Sequence, residues 1–255
     1  MPGENGPSGA GGPVMGGKLS VGGGMLGRVL SVVLDLLLPQ ACAGCGAKGA
    51  RCCGRCLAEL TARPDRRLPR PRLPGTPDCW SASPYEGPVR KAIVAYKERG
   101  AVALAGVLAE ALAFTALTAI GRTGALWAAR GFAVVPVPSG RASVSARGHD
   151  PVGRLAGLAA GRLRAAGLPA QPWAALSQAR QVADQAGLSS AERAANLAWS
   201  LRVGRAAKGP PAACALLVDD IVTTGATLVE AARALRAAGV SVPLAVTVAA
   251  TRRRS

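Results

Sequence analysis

At 255 residues, 49% of them apolar, the chain has room for one large domain, or a domain plus a small module, which excludes a mini-protein held by metal or disulfides alone. Lys+Arg 31 against Asp+Glu 14 leaves a charge of +17, a field favouring polyanions such as nucleic acid, sugar phosphates or an acidic membrane face; with only five Lys among them, a GC-rich coding bias accounts for the excess equally well. The single histidine, His149, excludes HExxH sites, zinc fingers with paired histidines and three-histidine metal sites, and 3% aromatics leave few platforms for stacking bases.

Residues 1–24 are Gly-rich without an apolar period and are expected to be a disordered tail, with Met25 an alternative start. Two phosphate-loop look-alikes there are chance matches: Leu19 stands where residues 12–18 would need a following Ser or Thr, and Gly22, Gly24 and Gly27 follow no strand. The most apolar run, 25–38, is shorter than the roughly 20 residues that cross a membrane and carries Arg28 and Asp35. It reads as an amphipathic helix docking on the body of the protein; neither a membrane span nor a signal peptide is expected, and the cytoplasm is the expected location. With the cysteine-rich stretch behind it, this helix makes a module over 25–62. The Pro/Arg stretch that follows repeats Pro too often for a helix and reads as a semi-rigid basic linker over 63–78. From Cys79 onward helices at 89–99, 102–119, 148–166 and 225–238 alternate with strands at 133–137, 198–203, 214–218 and 240–250. Such alternation predicts an α/β domain over 79–255, a parallel sheet covered by helices.

Five of the seven cysteines lie in 42–56, as Cys42-Ala-Gly-Cys45 and Cys52-Cys53-Gly-Arg-Cys56. A CxxC turn sets two thiolates on one side of a tight knuckle, and two knuckles complete a tetrahedral site for Zn²⁺. Cys42, Cys45, Cys53 and Cys56 are the expected ligands and Cys52 the spare, exchangeable with Cys53. Disulfides are the competing reading, disfavoured by the odd count and the missing secretion signal. Four thiolates leave no open position, so the zinc is expected to be structural, stapling a module too small for its own core. Cys79 and Cys214 stand alone and are expected in the core.

The strongest signal is 215–228, ALLVDDIVTTGATL: a buried strand ends in Asp219 and Asp220, and a Thr/Gly turn then opens a helix at the carboxyl edge of the sheet. Free N–H groups and the helix dipole suit a phosphate monoester there, and two acids that cannot bind the phosphate can accept hydrogen bonds from a ribose diol. The segment resembles the 5-phosphoribosyl-1-pyrophosphate (PRPP) motif of the type I phosphoribosyltransferases. That resemblance implies that Asp219 and Asp220 hold the ribose 2′ and 3′ hydroxyls, while Thr223, Thr224, Gly225, Ala226 and Thr227 cradle the 5-phosphate.

Three further blocks are similar to the ComF-type competence proteins: Tyr85-Glu86-Gly87-Pro88 running to Tyr96-Lys97-Glu98-Arg99-Gly100; Val135-Pro136-Val137-Pro138-Ser139 with Arg147-Gly148-His149-Asp150; and Arg180, Asp184-Gln185-Ala186-Gly187-Leu188-Ser189 with Glu192-Arg193 and Asn196. With the tandem CxxC pairs, the resemblance spans about 26–250. It implies a type I phosphoribosyltransferase-like fold, a twisted parallel sheet flanked by helices and preceded by a small four-cysteine zinc module. It also implies a pyrophosphate loop at Pro138, Ser139 and Gly140 with Arg141 or Arg147 meeting the leaving group, Lys97 as a further site residue, and a lid over 177–191 with Asp184, Gln185 and Arg193. Mg²⁺ is implied to arrive with PRPP. Where many family members have Phe-Asn after the Arg-Gly pair this chain has His149-Asp150; Pro151 behind it makes Asp150 a helix cap, and His149 reads as a packing or surface residue rather than a general base.

Two functions follow from the resemblance. One is transfer of the 5-phosphoribosyl group from PRPP, with release of pyrophosphate, to an acceptor the sequence does not identify. The other is a non-catalytic accessory of the DNA-uptake machinery that keeps the PRPP site as a sensor and holds single-stranded DNA through Arg66, Arg67, Arg70, Arg72 and Arg252 to Arg254. Scarce aromatics then imply weak, salt-sensitive binding. The two readings are compatible.

Overall fold

The computed structural model describes residues 41–69, 72–139, 150–180, 190–204, 207 and 209–251, so the expected tail and the helix at 25–38 lie outside the described residues. Runs of small and branched apolar residues make the central strands, because a strand covered on both faces has no polar side to show. Among the described residues eight strands form: β1 (Asp65–Arg66), β2 (Asp78–Pro84), β3 (Phe132–Pro136), β4 (Ala170–Pro172), β5 (Leu176–Gln178), β6 (Leu201–Val203), β7 (Cys214–Val222) and β8 (Ser241–Ala250). Six of them make one sheet in the order β1-β2-β8-β7-β3-β4, parallel throughout except for β1, which runs antiparallel to β2. Alternate residues serve opposite cores: Val134, Leu216 and Val218 face one apolar cluster, and Ala133, Val135, Ala215 and Leu217 the other.

The helices are α1 (Gly54–Thr61), α2 (Gly87–Glu98), α3 (Ala105–Thr123), α4 (Pro151–Ala165), α5 (Ser190–Leu197) and α6 (Ala226–Ala237). The first cluster packs α2, α3 and α4 on one face of the sheet, through Ile93, Leu112 and Leu155, and the second packs α6 on the other, through Leu228 and Leu235. The segment Val102–Thr123, which contains α3, is long and apolar enough by composition to cross a membrane, an 18-residue window of it having a mean hydropathy of 1.9, but 56% of that window is buried inside the fold, as befits a core helix. Asp150 caps α4, its Oδ1 accepting from the Gly153 N–H at 3.0 Å ahead of Pro151 in the first turn, which is the arrangement its sequence implied.

Some local expectations shift. The strand expected at 214–218 runs on to Val222 and so carries both acids within it. The strand expected at 198–203 shrinks to Leu201–Val203 and leaves the main sheet to pair antiparallel with β5, because α5 continues to Leu197 and Trp199 turns the chain with φ 60. Cys79 is fully buried as expected, whereas Cys214 is only half-buried and accepts from Ser241 Oγ at 3.1 Å; it begins β7, where the sheet edge meets solvent.

The Pro/Arg stretch is stitched down rather than free. Asp65 and Arg66 pair with Ser81 and Trp80, the Arg67 N–H donates to the Cys79 carbonyl at 2.8 Å, and Arg236 Nη1 donates to the Gly75 carbonyl at 2.7 Å. Helix α1, which carries Cys56, is likewise part of the body: Leu60 is 1% exposed within the first core, Ser83 Oγ donates to the Glu59 carbonyl at 2.6 Å, and residues 40–255 form one compact unit.

Candidate functional site

The carboxyl ends of β3 and β7 and the last turn of α2 border a cleft of about 500 Å³. β7 delivers Asp219, Asp220 and Ile221 to it, β3 delivers Val137, Pro138 and Ser139, and α2 with its approach delivers Lys97 and Tyr85. Thr223 and Thr227 complete the lining from the turn that leads into α6, while Gly225 and Ala226 are buried behind it and Thr224 is half-buried. Gly225 sits in the left-handed region at φ 72 as the N-cap of α6. The first hydrogen bond back to it is from Val229 N to Gly225 O at 2.9 Å, so the N–H groups of the opening turn have no partner within the helix. Among the described residues only the Ala226 N–H finds a side chain, Thr224 Oγ1 at a long 3.5 Å. The turn is therefore a set of donors at the positive end of a helix dipole, suited to an anion.

The acids beside it are arranged asymmetrically. Lys97 Nζ lies 2.6 Å from Asp220 Oδ2, an ion pair in which the carboxylate side chain is 6% exposed and the ammonium 27%. Asp219 Oδ1 instead accepts from the Asp220 N–H at 2.8 Å. Burial pushes the Asp219 carboxyl well above its ordinary range, the neighbouring Asp220 charge adds to the effect, and Lys97 opposes it. Asp219 thus takes up its negative charge reluctantly, and the carboxyl oxygens of the two acids sit where hydroxyl donors would relieve them. Lys97 is brought to Asp220 only by the docking of α2 on the sheet.

Among the other expected site residues, Pro138 and Ser139 line the cleft, whereas Gly140, Arg141, Arg147 and His149 lie outside the described residues, as do Asp184 and Gln185 of the expected lid. Arg193 falls on α5 with its Nε buried and no hydrogen-bond partner to it among the described residues. Sequence reasoning missed Val137 and Ile221 as cleft walls, although both flank motif residues. It also missed a cluster on the far half of α6. There Glu230, 4% exposed, accepts from Arg233 Nε at 2.8 Å and from the Leu201 N–H at 3.0 Å, and the Arg233 guanidinium lies 4.1 Å from the centre of the Trp199 ring. Trp199 is itself 69% exposed.

Away from the cleft, the Sγ atoms of Cys42, Cys45, Cys53 and Cys56 all lie within 4.8 Å of one another, and Cys45 and Cys53 approach to 3.5 Å. Four thiolates bound to one ion at about 2.3 Å stand comparably close, so the residues present fit a tetrahedral metal ion such as Zn²⁺. Cys52 is outside the group; its Sγ points at the Cys53 carbonyl, 3.9 Å away. Burial raises the Cys42 thiol, but backbone N–H groups of Cys45, Cys53 and Gly44 outweigh it and bring the value down to about 6. Burial and the neighbouring thiols instead push Cys56 up. The four cannot all ionise without a cation, which is the condition a metal resolves. The knuckle leans on α2: a Cβ at Gly44 would stand 2.8 Å from Cys56 Sγ and 3.0 Å from Pro88 Cβ.

Residues 171–255, one third of the chain and including the Asp219–Thr227 segment, match the family model described as the phosphoribosyl transferase domain. Among solved structures, the chain is similar to orotate phosphoribosyltransferase from Aeropyrum pernix at 20% identity and a TM-score of 0.30, over 62% of each chain. The match thus spans less than two thirds of that protein's length. No curated protein matches the chain significantly.

Proposed function

We propose that this chain is a PRPP-binding, phosphoribosyltransferase-type protein of the ComF family. The observation that carries the reading is the convergence, in one cleft, of two adjacent acids near the end of β7, the donor turn at Thr223–Thr227, and the Pro138–Ser139 segment that follows β3. An organic phosphate with a vicinal diol and a second anionic group answers all three. The 5-phosphate takes the N–H groups that open α6, the ribose 2′ and 3′ hydroxyls donate to Asp219 and Asp220, and the pyrophosphate lies toward Ser139. Mg²⁺ arriving with PRPP would supply neutralising charge to the pyrophosphate, beside Ser139. Lys97 pairs with Asp220 and orients its carboxylate, so the diol meets a pre-aimed acceptor. Displacement at C1 by an acceptor nucleophile breaks the bond to pyrophosphate while positive charge grows on the ribose, close to the carboxylates. The cysteine quartet holds a structural Zn²⁺ that pins α1 and the start of α2.

Isothermal titration of Mg-PRPP into the full chain and into D219N/D220N tests the site. The parent should release binding heat that the double variant lacks; equal heats would remove the assignment.

A second reading, compatible with the first, is a role in DNA uptake in which the chain holds single-stranded DNA. The observation that favours it is Trp199, an exposed ring backed by the Arg233 guanidinium in a chain otherwise poor in aromatics. Trp199→Ala should weaken retention of a single-stranded oligonucleotide at low salt, and unchanged retention would count against this role for the ring.

A further inference from the structure

The Pro/Arg stretch carries a second cavity that phosphoribosyl transfer leaves unused. It measures about 390 Å³ and is walled by Arg66, Arg67, Leu68, Pro69 and Arg72. Small-molecule pockets run from about 300 to 1,000 Å³. None of the described residues that line it is acidic. Arg66 is held by Asp78 at 2.5 Å and Arg67 stands 3.7 Å from Asp65, both partly exposed pairs of the kind that yield readily to a better anion. Arg72 makes no ion pair among the described residues.

Arg66 and Arg67 spring from a fixed backbone rather than a loose tail. The pairing of Asp65 and Arg66 with β2 and the bond from the Arg67 N–H to Cys79 hold one side. On the other side Pro69 is buried so closely on the phosphate-type turn that a Cβ on Gly225 would stand 2.4 Å from its Cγ. Pro69 is therefore a shared wall, closing this cavity with one face and resting on the Thr223–Thr227 turn with the other. Guanidinium groups match phosphate oxygens through paired N–H donors, and Leu68 and Pro69 add an apolar surface beside them.

We propose that this cavity is a second binding site, for a phosphate ester whose charged group sits on Arg67 and Arg72 and whose apolar body lies against Leu68 and Pro69. The site lies beside the cleft that holds Asp219 and Asp220 and does not depend on what that cleft binds.

Equilibrium dialysis of radiolabelled inorganic phosphate against the full chain counts bound equivalents in the parent, R67Q/R72Q and R72Q. The Arg72 side chain is exposed, so R72Q serves should the double variant melt early. R67Q/R72Q should bind one equivalent fewer than the parent, and R72Q should hold that equivalent more weakly. A count and affinity unchanged in both variants would overturn the proposal, whatever the cleft does. An Arg-dependent equivalent that persists while D219N/D220N and the parent take up PRPP alike would instead sink only the reading of the cleft. Competition then distinguishes the sources of the ester. Displacement of the Arg-dependent phosphate by adenosine monophosphate supports a free phosphate ester, displacement by a single-stranded oligonucleotide alone supports the same chemistry on a polynucleotide, and displacement by neither overturns the site.

Discussion

Substitution of Gly225 by Ala puts a number on the fit between the Pro/Arg strap and the turn that opens α6. Gly225 has φ 72, and an L-residue held in that region costs about 1–2 kcal/mol. The new methyl would also stand 2.4 Å from Pro69 Cγ and 3.0 Å from Pro69 Cβ. A proline ring cannot rotate out of the way, so the strap itself must lift, an overpacking cost of about 1–3 kcal/mol. Gly225→Ala should therefore lower stability by about 2–5 kcal/mol, a large share of the about 5–15 kcal/mol that holds a domain together. Urea unfolding followed by far-ultraviolet circular dichroism measures this. Pro69→Ala removes Cγ and with it the severest part of the clash, leaving the 3.0 Å approach of Cβ and the backbone part in place. In the double-mutant cycle Gly225→Ala should then cost about 1–3 kcal/mol less in the Pro69→Ala background. Strict additivity of the two substitutions would refute the contact as the cause.

Two further outcomes follow from the site and the cysteine group. Because the folded Asp219 carboxyl lies above its unfolded value, the folded chain binds that proton more tightly, and stability falls as pH rises from the ordinary carboxyl value of 3.8 through the raised one. Asp219→Asn removes this loss, so the variant should melt above the parent at pH beyond that window and converge with it in acid; parallel melting curves at every pH would contradict the assignment. Cys45→Ser should lose bound metal and, because Cys56 and Leu60 are 2% and 1% exposed in the body of the fold, lower the melting of the whole unit in one transition. Metal retained at full stoichiometry, or an unchanged main transition, would refute that coupling.

Much of the cleft was legible because its chemistry is local. The apolar run from Ala215 to Val218, the two acids and the Thr/Gly turn occupy one short stretch, and a strand feeding a helix N-terminus is decided by residues within a few positions of one another. The Asp150-Pro151 cap and the CxxC spacing were readable for the same reason. β2 and β4 were not. Ser81 and Ser83 break the apolar run of β2 and are tolerated because Thr247 and the Glu59 carbonyl, far away in sequence, satisfy them, while β4 is three residues long and ends in a proline. The linker expected at 63–78 shows only its composition in sequence, and composition does not reveal that Asp65 and Arg66 will find an open sheet edge.

The sequence by itself determined the strand-to-helix turn at Asp219–Thr227, the alternation that makes a two-sided parallel sheet, and the cysteine quartet, all of which rest on bonding among near neighbours. The tertiary structure alone decided that Lys97 would pair with Asp220, that Pro69 would close on Gly225, and that α1 would enter the core. Each of these joins segments far apart in the chain, and their meeting is set by how helices and edges cover one sheet, a condition on the whole fold that no local pattern encodes.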